Sequence, residues 1–326
     1  MPRAAELLRR GEVVAFPTET VYGLGANALN ARAVARIFEV KERPTFDPLI
    51  VHIAELPAIF DLVECVPAAA LHLAEQIWPG PLTLVLPKTR LVPDLVTAGL
   101  PGVGIRIPAH PVALDLLRQT GCPLAAPSAN KFGAISPTTA QHVIDGLGAQ
   151  SIPVVDGGPC AVGVESTVLS FMGLVPVILR PGGLPIEDIC RLIGPVDQAV
   201  PDPDADDAAQ PAPGMLSRHY APRTRLLLVP TSRQATPLEG QRTGLLTWGK
   251  QPFSTGFAQI ERLSTDEDLR TCAARLFAAM RTLDSADLDV IIAHQFPAYG
   301  LGIALNDRLA RASSGFVESQ VDVASN

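Results

Sequence analysis

From Glu12 to Gly194 the chain alternates between short apolar runs and longer stretches whose apolar positions recur at helical spacing. Val13 to Phe16, Leu49 to Ile53, Leu82 to Leu86, Val103 to Ile107, Thr167 to Phe171 and Val175 to Leu179 have the length and apolar density of strands, with shorter candidates near Leu124 and at Pro153 to Val155. Ala31 to Val40, Glu55 to Glu64, Ala68 to Ile77, Pro111 to Gln119, Pro137 to Gly146 and Pro185 to Ile193 read as helices. Several of these strands follow one another with no helix between them. The pattern therefore predicts a mixed α/β fold and argues against a regular doubly wound sheet.

Between Gly194 and Pro222 Pro, Ala and Asp dominate and almost nothing is available to bury. The stretch exceeds the ~12–15 residues of ordinary structureless loops, and its prolines favour extended backbone. It predicts a linker over residues 195–222, between a first domain at 1–194 and a second at 223–326. About 27 extended residues span roughly 90 Å, so the linker has the reach to fold back over the first domain. Beyond it, Arg225 to Val229, Gly244 to Trp248 and Val290 to Ala293 read as strands, and Asp266 to Leu283 as a helix with Leu269, Ala273, Leu276, Met280 and Leu283 on one face. Ala304 to Ala312 reads as a last helix with charges spread around it. A small βαβ-type domain fits this order.

Composition narrows the function classes. With 326 residues, 47% hydrophobic and 18% charged, the chain has ample core material for two domains and is not disordered. No apolar run reaches the roughly 20 residues of a membrane span, and Met1 to Arg10 lacks a signal-peptide core, so a soluble protein retained in the cytoplasm is the expectation. The five cysteines, Cys65, Cys122, Cys160, Cys190 and Cys272, show no zinc or disulfide spacing and read as reduced, mostly buried hydrophobes. A net charge of -7 argues against wholesale polyanion binding but leaves room for one local basic groove.

Two polar clusters interrupt this apolar sequence: Lys41-Glu42-Arg43-Pro44 and Ala126-Pro127-Ser128-Ala129-Asn130. Lys41 and Arg43 offer a point charge and a planar fork, the two ways proteins hold phosphate, while Ser128 and Asn130 add neutral donors and acceptors. Solvated loops have the same composition, so neither cluster alone decides. Pro17 to Asn27 is a third polar segment, which reads as a strand-to-helix junction of the kind that binds anions, or as a plain turn. Gly23-Leu24-Gly25 lacks the third glycine of a dinucleotide fingerprint, and no phosphate-loop motif occurs. No set of histidines and carboxylates has metal-ligand spacing.

Eight elements in one order carry a resemblance: Pro17-Thr18-Glu19-Thr20-Val21-Tyr22-Gly23-Leu24, Lys41-x-Arg43-Pro44, Pro48-Leu49-Ile50-Val51-His52, Trp78-Pro79-Gly80-Pro81-Leu82-Thr83, Gly104-Ile105-Arg106-Ile107-Pro108, Ala126-Pro127-Ser128-Ala129-Asn130, Glu165-Ser166-Thr167-Val168 and Arg180-Pro181-Gly182. Residues 3 to 194 resemble the YrdC-like threonylcarbamoyl-AMP synthase family. A linker ending Ser217-Arg218-His219-Tyr220-Ala221-Pro222 resembles its long form, which has a Rossmann-like second domain. The resemblance implies a twisted mixed sheet around a large basic cavity. It also implies an enzyme that joins L-threonine, bicarbonate and ATP into L-threonylcarbamoyladenylate, releasing pyrophosphate, for tRNA threonylcarbamoyl-transferase proteins that modify adenosine 37 of tRNAs reading codons that start with A.

By the same resemblance, Thr20, His52, Arg106, Ala126 and Ser166 surround threonine, with Arg106 suited to its carboxylate. Lys41, Arg43, Asp47, Gly102, Ser128, Asn130, Ser136, Arg180 and Tyr220 surround ATP, and Lys41 and Arg43 stabilise charge on the phosphates as the catalytic pair. Asp47 replaces a residue that is often Asn in the family, and Gly102 one that commonly carries a hydroxyl, so Gly102 offers only its backbone. Glu165 is a supporting carboxylate beside Ser166, and Tyr220 belongs to the part of the linker that folds over the nucleotide. Magnesium arrives on the ATP, held by phosphates and water. Two rivals remain: a carbamoyltransferase relative, against which the missing Cys-x-x-Cys pairs speak, and an RNA-binding module using the same cations, against which the 5% aromatic content speaks. Direct tRNA binding is not expected, nor is any contact with a membrane.

Overall fold

The computed structural model describes residues 1–148, 152–199, 210–215 and 219–313. Its first part runs α1 (Pro2–Arg9), β1 (Val14–Phe16), β2 (Gly23–Asn27), α2 (Ala31–Lys41), β3 (Ile50–His52), α3 (Ile59–Leu62), α4 (Ala68–Ile77), β4 (Leu82–Pro87), β5 (Gly102–Arg106), α5 (Pro111–Thr120), β6 (Leu124–Ala125), α6 (Ala140–Leu147), β7 (Thr167–Ser170), β8 (Val177–Arg180), α7 (Ile186–Ile193) and β9 (Asp197–Gln198). Among the described residues the strands form one mixed nine-stranded sheet, ordered β1-β2-β6-β3-β5-β4-β7-β8-β9. β3 runs parallel to β5 and antiparallel to β6, so His52 lies beside Arg106 in the register. The second part comprises β10 (Arg225–Val229), β11 (Thr243–Thr247), β12 (Gln259–Arg262), α8 (Leu269–Asp284), β13 (Val290–His294) and α9 (Leu301–Ser313). Its four strands are all parallel, ordered β10-β13-β11-β12. Every residue of β11 and β13 is buried, as a parallel strand covered on both faces requires.

Several expected elements differ. Pro17 to Asn27 does not lead into a helix: Gly23–Asn27 turns back as β2, antiparallel to β1. Its glycines serve that close pairing, since a Cβ on Gly25 would lie 2.6 Å from the Phe16 ring. The helix expected over Glu55 to Glu64 breaks into a 3-10 turn at Leu56–Ala58 and the four-residue α3, with Pro57 in the first turn. Pro153 to Val155 contributes one bridge, Val154 to Ala15, rather than a strand. Of the cysteines, all free, only Cys160 and Cys272 are buried, and Cys65 is exposed.

The linker is in part built into the fold. Residues 197 and 198 form β9 on the sheet edge, and the described residues nearer its end are packed rather than solvated: Ala212 and Tyr220 are 1% exposed. Val21, Ile135 and Val164 of the first part share one apolar cluster with Tyr220 and with Phe277, Met280, Leu305 and Leu309 of the second. The two parts and the linker end therefore meet in a common core beside the sheet. No helix among the described residues is long and apolar enough to cross a membrane.

Candidate active site

The end of α2 builds the first wall. Asn30 caps its start by accepting from the amides of Arg32 and Ala33 at 3.1 and 3.3 Å. At its other end Glu42 takes a left-handed conformation, φ 52°, and the Arg43 amide reaches back to the Phe38 carbonyl at 3.0 Å. That Schellman turn stops the helix and lets Lys41 and Arg43 both enter the interior. Lys41 is 1% exposed, and its Nζ donates to the carbonyls of Ser128, at 2.6 Å, and Asn130. Burial, reinforced by Arg43, pushes its pKa well below the ordinary lysine value. Arg43 donates to the carbonyls of Asp47 at 3.1 Å and Pro48 at 2.8 Å, and ion-pairs with the Asp47 carboxylate at 2.9 Å.

Arg180, at the end of β8, forms the opposite wall. It donates to the Ser166 carbonyl at 2.9 Å and, from the linker, to the Pro213 carbonyl at 2.8 Å; its Nε has no acceptor among the described residues. Arg106 is held differently. It donates to Thr20 Oγ1 at 3.0 Å and pairs with the Glu19 carboxylate, whose other oxygen accepts from the Ala109 amide at 3.0 Å. Ser166 Oγ lies 2.7 Å from Thr83 Oγ1. His52 packs edge-on to Phe16, its Nδ1 without a partner among the described residues, and burial together with the Arg106 charge lowers its pKa to about 3. It is neutral at physiological pH.

These side chains face one cavity lined by Thr20, Arg43, His52, Arg106, Ala126, Ser128, Ser166, Arg180 and Tyr220, with Glu165 and the linker residues Pro213, Gly214 and His219. Its free volume is about 50 Å³, room for a few waters, because the linker segments fill the rest. Lys41, Asn130 and Ser136 stand behind this surface. Asn130 Nδ2 donates to the carbonyls of Lys131 and Ala134, and Ser136 Oγ donates to Glu165 at 2.5 Å. Two further expected nucleotide contacts are also off the cavity wall, in addition to Lys41, Asn130 and Ser136. Asp47 is fully buried behind Arg43, and neither of its carboxylate oxygens has a hydrogen-bond geometry with a described residue. Gly102 lines a separate recess with Pro211 and Ala212, where a Cβ would meet Met172 Sδ at 2.9 Å and Val85 at 3.0 Å.

The charges divide into two groups. Lys41 and Arg180 make their hydrogen bonds to neutral oxygens and have no carboxylate in direct contact, whereas Arg106 is ion-paired with Glu19. One side of the cavity is thus electropositive and the other close to neutral.

Two family models cover nearly all of the chain. The Sua5/YciO/YrdC model, described as telomere recombination, matches residues 6–182, and the model described as threonylcarbamoyl-AMP synthase, C-terminal domain, matches residues 184–314. The chain belongs to the Sua5/YciO/YrdC family. Threonylcarbamoyl-AMP synthase of Bacillus subtilis is 45% identical over 97% of this chain and 93% of its own, and that of Pyrococcus abyssi is 43% identical over 95% and 93%. A crystal structure of P. abyssi Sua5 complexed with L-threonine superposes with a TM-score of 0.87 at 41% identity, covering 96% of this chain and 93% of that one. Family motifs pointed to most of the cavity wall, but two partners lay outside that reading. Glu19 sits inside a quoted motif yet had no role, and Arg308 belongs to α9 of the second part, where helical charges read as surface. Arg308 is fully buried and donates to Glu165 at 2.8 Å.

Proposed function

We propose that the cavity is the active site of a threonylcarbamoyl-AMP synthase acting on L-threonine, bicarbonate and ATP. The observation that carries this reading is the match of charge to substrate. A triphosphate carries several negative charges and suits Lys41 and Arg180, which have no carboxylate in direct contact, with Arg43 between them, while a zwitterionic amino acid of zero net charge suits the balanced Arg106 and Glu19 pair. Arg106 takes the threonine carboxylate, Glu19 is the group that balances it, and Thr20, Ala126 and Ser166 complete that end.

The chemistry is a displacement. The neutral threonine amine forms a C–N bond to carbon dioxide with loss of a proton, or to bicarbonate with cleavage of a C–O bond and loss of water, and so gives a carbamate. A carbamate oxygen then bonds to the α-phosphorus of ATP as the bond to the β-phosphate breaks, and pyrophosphate leaves with the electron pair. Lys41, Arg43 and Arg180 stabilise the charge that builds on the phosphates, and no enzyme nucleophile takes part. Carbamates decay in water, so excluding it is the second task, for which the linker segments lining the cavity are placed. ATP needs more than the 50 Å³ now free, so Pro213 and Gly214 withdraw to admit it.

The carboxylates around the cavity each answer a cation: Glu19 to Arg106, Asp47 to Arg43, Glu165 to Arg308. Among the described residues no three His, Cys, Asp or Glu converge as a metal cage. Magnesium would come as a passenger on ATP, held by phosphate oxygens and water, where it would offset phosphate charge. The product is an activated acyl donor, whose consumer is a tRNA threonylcarbamoyl-transferase, which sets this enzyme in the cytoplasm. Pyrophosphate release with threonine and bicarbonate omitted in turn tests the reading. Dependence on all three substrates supports it, and release without either co-substrate would sink it.

A further inference from the structure

We propose that Arg308, supplied by the second domain, is a positioning residue of the nucleotide site: it ties down the Glu165 carboxylate and so keeps Arg180 free to meet phosphate. The proposal rests on the synthase reading above. A fully buried arginine requires partners, and those of Arg308 lie mostly across the domain junction. Its Nε donates to Glu165 Oε2 at 2.8 Å, its Nη2 to the Pro181 carbonyl at 3.1 Å, and its Nη1 to the neighbouring Asp307 carboxylate. The guanidinium carbon lies 4.9 Å from the centre of the Tyr220 ring.

Glu165 needs this restraint because of where it stands. Its other oxygen accepts from Ser136, and the next residue, Ser166, offers its carbonyl to Arg180 at 2.9 Å. A carboxylate one residue from an arginine's own acceptor would ordinarily capture that arginine. Here both of its oxygens are already engaged, and Arg180 is held by neutral oxygens alone, the Ser166 and Pro213 carbonyls with Ser166 Oγ at 3.4 Å. Without Arg308 the buried carboxylate keeps one hydroxyl donor and turns to Arg180, the next cation whose field it feels. That pairing would cancel charge intended for the triphosphate and leave the threonine end untouched.

The test compares Arg308→Met, Arg308→Lys and the double variant Glu165→Gln/Arg308→Met in the full chain. Dissociation constants for ATP and for L-threonine are measured by calorimetry, with kcat and KM for ATP from pyrophosphate release. Arg308→Met is expected to weaken ATP binding roughly tenfold or more, about 1.4 kcal/mol, and to leave threonine within about twofold. The double variant is expected to recover ATP binding to within about threefold of the unmodified protein, because a neutral amide does not draw Arg180 away. A merely structural strut predicts equal losses for both ligands and no recovery, and either result overturns the proposal. Should Arg308→Met fail to fold, Arg308→Lys carries the same comparison: it retains a charge but cannot span Glu165, Pro181 and Asp307, and an unchanged ATP-to-threonine ratio there is refuting. Absence of turnover in the unmodified protein would remove the synthase reading, while the two binding constants would still decide on Arg308.

Discussion

Arg106→Lys isolates what the guanidinium fork contributes to threonine recognition. Arg106 is 3% exposed and already serves Thr20 Oγ1 and Glu19, so it cannot swing to follow a ligand; its Nε has no acceptor among the described residues. Lysine retains the charge and the Glu19 pairing but is a point donor, so the threonine carboxylate loses one of two parallel hydrogen bonds. A hydrogen bond to a charged group contributes about 1.5–3 kcal/mol, which converts to a weakening of about 10- to 140-fold. Calorimetric titration with L-threonine measures this, and L-threoninamide supplies the control. The amide lacks the carboxylate, so both proteins should bind it within about twofold, leaving the full difference as coupling between residue and ligand group. Equal weakening of threonine and threoninamide would show that Arg106 supports the cavity without touching the carboxylate, and the assignment would fall. ATP binding in the absence of threonine should not change.

His52→Gln should flatten the acid limb of the stability curve. The folded pKa lies near 3, below the ordinary 6.5, so between those values the unfolded chain binds one more proton and stability is lost as pH drops, by up to about 1.4 kcal/mol per unit. Urea midpoints across that window should lose this slope in the variant; parallel curves would refute it. Gly214→Ala places a Cβ 2.4 Å from the Tyr220 hydroxyl at a residue with φ 78°, a conformation that costs an L-residue about 1–2 kcal/mol. Proteolysis within 210–222 should accelerate, and an unchanged rate would mean that the linker is not seated by this contact. Asp47→Asn removes the countercharge of Arg43, which should lower the stability of the free protein by about 3–5 kcal/mol and enlarge the melting shift produced by ATP. A smaller shift than in the unmodified protein would contradict the charge argument.

What the sequence revealed followed local signals, and what it hid followed distant ones. Leu82 to Leu86 and Val103 to Ile107 announce strands because apolar runs of that length have few other uses. Gly23–Asn27 does not, since Gly, Ala and Asn carry little strand preference and its pairing depends on the bare backbone beside Phe16. Asp197–Gln198 and Gln259–Arg262 are polar edge strands that bury almost nothing and leave no pattern to read. The same division holds at the site. Lys41 and Arg43 are two positions apart in sequence and turned inward by one helix end, whereas Arg106 meets Glu19 across 87 residues and Arg308 meets Glu165 across 143. A buried arginine and a surface arginine look alike on a helix until the partner is known, which is why Arg308 is, in the sequence, one of the charges spread around the last helix and no more.

The linker's hold on the cavity is strong enough to close it and weak enough to yield. Its Pro213 carbonyl occupies Arg180 Nη1, and a neutral acceptor there contributes about 1 kcal/mol against about 1.5–3 for a phosphate oxygen. Exchange at that one contact favours ATP only slightly. Displacing Tyr220 as well would forfeit its packing on Phe277, at 5.6 Å between ring centroids, and its contact with Arg308, together about 2–5 kcal/mol. Phosphate contacts to Arg43 and Arg180, the two of these cations on the cavity wall, would together reach about 3–6 kcal/mol, comparable to the cost of the complete withdrawal. The cheaper course moves Pro213 and Gly214 alone and leaves Tyr220 stacked. On the proposed reading the nucleotide would enter beneath a ring that stays in place, and the segment that yields to it would return to exclude water from the carbamate.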